Sequence, residues 1–136
     1  MMGAMSRIFV ILSGVLGFSA VALGAFGAHG LRSRLESIPD GVKRMEWWTT
    51  AAHYHLTHAL ALAVVAWLAH RGAGASTTLA GWSFVAGVTL FSGSLDVMAV
   101  TGQTKLGAIT PLGGLLWVVG WAAVVVAGVR VGATAG

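Results

Sequence analysis

The chain is predicted to be an all-α membrane protein, a four-transmembrane-helix up-down bundle, and three observations carry that reading. Of its 136 residues 57% are hydrophobic and only 9% are charged, whereas soluble domains hold roughly 25% charged residues. Its mean hydropathy is strongly positive. Its apolar residues also fall into four runs, each about long enough to cross ~30 Å of hydrocarbon. A globule with so few charges cannot cover itself with polar surface in water, and a lipid exterior removes that requirement.

The runs lie at about residues 8–29, 47–69, 78–100 and 106–129 of a single transmembrane domain spanning 1–136. No run alternates polar with apolar residues at a period of two, which argues against a barrel. Arg7, the first run and Ala22-Leu23-Gly24 imitate a cleaved secretory signal. The run is about twice a usual signal core, however, so this helix is expected to be retained. The polar connection over 30–46 holds Arg32, Arg34, Glu36, Asp40, Lys43 and Arg44, with Pro39-Asp40-Gly41 as a turn signal. Ser37 to Pro39 interrupts any continuous helix, and the flanks are expected to lie on the membrane surface as short amphipathic turns. The connections at 70–76 and 101–105 are short, which makes consecutive helices antiparallel neighbours.

The net charge of +4 comes from basic residues placed singly or in pairs near helix ends, where they anchor and orient spans. Nucleic acid is therefore not an expected partner. The lipid bilayer is, together with other membrane subunits or further copies of the chain. Five basic residues on the side of the long connection (Arg32, Arg34, Lys43, Arg44, Lys105) face three on the other (Arg7, Arg71, Arg130). That balance puts the connection in the cytoplasm of a multi-pass protein of the cell inner (plasma) membrane. The absence of cysteine removes disulfides, thiolate metal sites and thiol catalysis.

Polar residues inside the spans gather toward the side of the long connection. His29 closes the first helix there. His53, His55 and His58 lie roughly 9 to 17 Å into the second, and Asp96 roughly 6 Å inside the end of the third. Thr110 and Pro111 open the fourth helix on the same side, while the opposite half reads as nearly featureless. At about 100° per residue Tyr54, His55 and His58 share an arc, and Thr78, Thr89, Ser92 and Asp96 form a stripe with Gly93 beside it. An ionised aspartate is costly against lipid, so the stripe is expected to face the bundle. The candidate polar cluster is therefore His29, Tyr54, His55, His58, Ser92, Asp96 and Thr110.

Several chemistries suit this cluster. His55 and His58, three apart, could ligate one metal completed by His29 and Asp96, or two histidines could hold a haem. A proton relay through His55, His58 and Asp96 is a further reading. Hydrogen bonding between helices accounts for the same residues without a cofactor, and none is assigned. Ala20, Gly24 and Ala28 recur at four on the first helix and read as packing positions, as do Gly93, Gly113, Gly114 and Gly120. Trp47, Trp48 and Arg44 read as interface anchors. No serine has an adjacent base at a usable spacing and no carboxylates are paired, so no catalytic constellation is present.

The segments Gly24-Ala25-Phe26-Gly27-Ala28-His29-Gly30-Leu31, Thr50-Ala51, Tyr54, His58-Ala59-Leu60-Ala61-Leu62, Phe91-Ser92-Gly93-Ser94-Leu95, Thr101-Gly102, Leu106 through Gly114 and Gly120-Trp121 occur in order over all four helices. Together they resemble the uncharacterised four-span membrane family DUF423 (UPF0382; YgdD-like and transmembrane protein 256-like). The resemblance implies a four-helix inner-membrane protein of unknown biochemical role. His29 and His58 fall on its motif positions. It more often places glutamine at 55 and tyrosine at 96, so a ligand set needing His55 and Asp96 would be particular to a subgroup. The function expected from the chain is that of a structural or accessory subunit of a membrane assembly. The alternatives are a small oligomeric transporter or channel, or a haem- or metal-binding membrane protein using the His/Asp cluster.

Overall fold

A computed structural model describes residues 1–134. Among them the apolar runs form four helices, α1 (Ala4–Leu35), α2 (Gly41–His70), α3 (Ala75–Thr101) and α4 (Thr110–Thr134). A tight 3-10 turn over Thr104–Ala108 precedes the last, and no strand occurs among the described residues. The protein is an all-α, four-span membrane protein.

The polar connection is shorter than its composition implies. α1 runs on through Arg32–Leu35 and α2 begins at Gly41, so only residues 36–40 lie outside the helices, in place of 30–46. Hydropathy registers where lipid ends, while a helix ends where its backbone bonding ends, and a charged turn above the hydrocarbon satisfies both. The reversal is held by Gly41, whose N–H donates to the Ile38 carbonyl at 3.1 Å. A Cβ at Gly41 would strike the Leu35 carbonyl.

α1 packs along α2, α2 along α3 and α3 along α4, so α2 and α3 form the centre and α1 and α4 the flanks. Phe9, Leu62, Val65 and Phe84 are fully buried at the core, joined by Ala80 and Trp117. The outer faces carry exposed Phe18, Val21, Leu60, Val125 and Val129, the surface that lipid solvates. Between α1 and α2 the contact is polar at regular intervals. Ser6 donates to the Ala66 carbonyl and Ser13 to the Ala59 carbonyl, both at 2.8 Å, and Ser19 meets His55 at 3.2 Å. These bonds extend into the half that reads as featureless in sequence. Small hydroxyls can reach a carbonyl already bonded in the neighbouring helix, so they join helices without exposing a polar group to lipid.

Closest approach depends on rings seated on glycines. Trp48 lies over Gly27, Phe9 over Gly81 and Trp117 over Gly87, each where a Cβ would overlap the ring. A Cβ at Gly120 would come within 2.6 Å of Phe84, and one at Gly113 within 2.5 Å of the Phe91 nitrogen. Other glycines and alanines of the sequence pattern lie elsewhere. A Cβ at Gly24 or Gly93 would meet nothing within 4 Å and one at Gly114 only ordinary contacts at 3.8 Å; Ala20 is buried and Ala28 exposed. The repeat at four on α1 therefore does not mark the edge against α2. A wide turn over Gly27–Leu31, where the Arg32 N–H reaches back to the Gly27 carbonyl, puts Gly27 on that edge in place of Ala28. A second wide turn interrupts α3 over Val88–Ser92, facing Gly113.

Trp48 is only 3% exposed, and its indole N–H donates to the Leu23 carbonyl at 3.0 Å. It is a core residue and not an interface anchor, because Gly27 opens a seat for it. Trp47 is half-buried with the Lys43 ammonium 5.5 Å above its ring. Arg44 has a further task. Its Nε donates to the Ala99 carbonyl at 2.7 Å and its Nη2 to the Val100 carbonyl at 2.5 Å, capping the last turn of α3 where carbonyls lack helical partners. Gly102 then reverses the chain at φ +74°, its N–H bonded to the Met98 carbonyl at 2.8 Å.

The packing sets three expectations for stability. Gly27→Ala should destabilise the protein by about 1–3 kcal/mol through displacement of Trp48, while Gly24→Ala should be neutral or stabilise it by up to about 1 kcal/mol. Arg44→Met should lose about 2 kcal/mol by stripping charge-assisted bonds from α3. Reversible unfolding in mixed micelles reads all three.

Candidate functional site

His55 and His58 of α2 are one turn apart yet serve different neighbours. His58 is 3% exposed and both its ring nitrogens are engaged. Nδ1 lies 2.8 Å from the Tyr54 carbonyl, which can only accept, so Nδ1 carries the hydrogen. Nε2 is then free to accept, and the Trp121 indole N–H supplies a donor at 3.2 Å. Two bonds thus select the Nδ1–H tautomer. The ring stacks on Trp117 at 3.9 Å between centroids and 5° between planes, and Phe84 meets its edge at 5.3 Å.

His55 faces α1. Ser19 Oγ lies 3.0 Å from the Leu16 carbonyl and 3.2 Å from His55 Nε2; with its hydrogen on the Leu16 carbonyl, the Ser19 oxygen accepts from Nε2. In that arrangement His55 takes the opposite tautomer to His58. The three-residue spacing does not bring the two rings to one point, because α2 is central and each ring turns to a different flank. Among the described residues no three His, Asp or Glu side chains converge closely enough to hold a metal ion. His29 is exposed at the wide turn of α1.

Ser92 is buried and donates to the Ala51 carbonyl at 3.0 Å, tying α3 to α2. Thr110 pairs with Ser94 at 2.7 Å, tying α4 to α3. Asp96 is half-exposed and Thr89 exposed. The buried face of α3 is set by Val88, Leu95 and Ala99, and the polar stripe lies beside that face, sharing only Ser92 with it. Shape chose the face: small and branched residues pack against α2, and a shallow carboxylate at the rim can reach the headgroup region without crossing the core.

What does converge is aromatic. Tyr54 stacks beside Trp117 at 5.4 Å and meets Phe91 at 5.2 Å. Tyr54, His58, Phe91, Gly114, Trp117 and Trp121 wall a cleft of about 290 Å³ between α2, α3 and α4. Sequence reasoning found Tyr54 and His58 but left Trp117 and Trp121 out of the cluster. It also passed over Ser6 and Ser13, although their spacing of seven residues marks one helix face, and over Ser19.

Trp121→Phe should keep the ring packing but leave His58 Nε2 without its donor, lowering stability by about 1 kcal/mol. Nitrogen-15 spectra of the histidine rings should show the hydrogen on Nδ1 of His58 and on Nε2 of His55. Identical tautomers would contradict the bonding scheme.

Residues 23–114 match a family model described as a protein of unknown function, DUF423. The chain is 49% identical to the UPF0382 membrane protein YwdK of Bacillus subtilis, over 91% of this chain and 98% of that protein. It is 40% identical to a UPF0382 membrane protein of Staphylococcus epidermidis, over 89% and 94%. No solved structure matches the chain. The matched region begins at Leu23 and takes in both wide turns, Trp48, the α2 histidines and the Gly113 seat. The chain belongs to the DUF423 family of membrane proteins.

Proposed function

We propose that this protein is a structural or accessory subunit of a membrane assembly in the bacterial inner membrane, joining its partner through the outward face of α1. The observation that carries the reading is the state of the α1 glycines. A Cβ at Gly14, Gly17 or Gly24 would meet nothing within 4 Å. Within the chain α1 has one principal neighbour, α2, which it meets through Ser6, Ser13 and Ser19. Glycine on a lipid-facing helix offers lipid little to pack against, whereas small residues let a second helix come close. A partner helix, from another subunit or another copy, would use those positions. The inner membrane is the natural site for helical spans, since outer membranes are crossed by closed barrels, and relatives of the chain occur in Bacillus and Staphylococcus.

Native mass spectrometry in mild detergent, with crosslinking in intact membranes, tests this. The wild type should appear in a complex. Gly17→Leu and Gly24→Leu should weaken association by about tenfold or more, as losing ~1.4 kcal/mol of packing would, with unchanged melting of the isolated chain. A wild type that is a lone monomer by both methods would overturn the reading.

A further inference from the structure

At the headgroup level, where α1 ends and α2 begins, lies a cavity of about 390 Å³. One wall comes from Arg32, Leu35 and Glu36 and the other from Val42, Met45 and Glu46, with Thr49 deepest toward the hydrocarbon. Its height is set by Trp47, whose ring sits under the Lys43 ammonium on the same turns of α2, the usual level of interfacial aromatics. The floor is apolar where Leu35 is buried, and Val42 is 79% exposed at the mouth. A space of this kind in a bilayer is filled by lipid.

The charges on its walls identify which lipid. The other basic groups nearby are not on the lining: Arg44 is bonded to the end of α3 and Lys43 lies over Trp47. The lining itself carries one guanidinium, Arg32, and two carboxylates, Glu36 and Glu46. An anionic headgroup has one favourable partner there and two repulsive ones. A zwitterionic headgroup with a primary ammonium matches both signs, phosphate to guanidinium and ammonium to carboxylate, with N–H groups to donate to both acids. The acyl chains would run down past Leu35, Met45 and Thr49.

We infer that the cavity between the end of α1 and the start of α2 is a binding site for an ethanolamine phospholipid, its phosphate held by Arg32 and its ammonium by Glu36 and Glu46. All three side chains lie on exposed positions, so neutral substitutions there leave the packed helices intact.

The full chain is placed in vesicles containing equal parts of ethanolamine, choline and glycerol phospholipids, then extracted mildly, and retained lipid is counted by native mass spectrometry. One ethanolamine phospholipid should be retained in preference to the other two. The Glu36→Gln/Glu46→Gln pair should lower that retention by about tenfold, the scale of losing a charge-assisted contact, and raise retention of the glycerol phospholipid. Arg32→Gln should weaken the ethanolamine lipid without raising the anionic one. Unchanged melting of each variant verifies the fold. Equal retention of the glycerol or choline lipid by the wild type would overturn the assignment, as would full ethanolamine retention by the double variant.

Discussion

Phe9 on Gly81, Trp48 on Gly27 and Trp117 on Gly87 are the contacts by which four helices, each as apolar as the surrounding lipid, settle into one arrangement. In water, burying apolar side chains would drive such helices together. In a bilayer the tails offer nearly the same solvation, so association relies on shape and on hydrogen bonds. A ring resting on a bare backbone turn gains dispersion contacts along its face that lipid chains cannot match in density. The arrangement is directional, since each ring needs its own glycine at one height on the neighbouring helix.

Polar groups then work within this frame. The α1 serines bond to α2 carbonyls, Ser92 to Ala51, Trp48 to Leu23 and Arg44 to the end of α3. Nearly all of these acceptors are backbone carbonyls. A side chain that bonds a partner's backbone fixes helix height and rotation without requiring a matching side chain, which keeps polar pairs out of the lipid. The two wide turns serve the same geometry. By adding a residue to one turn they rotate the facing of the next turns of helix, so Gly27 meets Trp48 and Ser92 meets Ala51.

His58 shows how far a polar residue can be absorbed into such a core. Its two nitrogens have one donor and one acceptor partner, and its ring is stacked on Trp117 with Phe84 at its edge. It joins α2 to α4 across the end of Phe84. The cleft beside it opens toward the membrane with Tyr54 and Trp121 at its edge, both partly exposed. The lipid-level cavity at the α1–α2 reversal is different in kind, since its walls carry charges of both signs.

Much of this protein was legible in its residues alone. Four apolar runs with short connections leave helices crossing a bilayer as the outcome, because lipid forbids unsatisfied backbone and short links enforce antiparallel neighbours. His58, Tyr54 and Ser92 were legible as polar residues within spans. Their partners were not. That His55 turns to Ser19 while His58 turns to Trp121, that Trp48 is core while Trp47 is half-buried, and that Asp96 lies beside the buried face of α3 all depend on how each helix is rotated against its neighbours. Periodicity gives a helix its faces but not the identity of the helix opposite, and a wide turn changes those faces without any mark in hydropathy. Sequence by itself determined the spans and their sense, through the solvation demands of the backbone. Tertiary structure alone decided which glycine seats which ring, because that depends on the relative height and rotation of two helices, and with it whether the polar half of the membrane holds one cluster or several separate bonds.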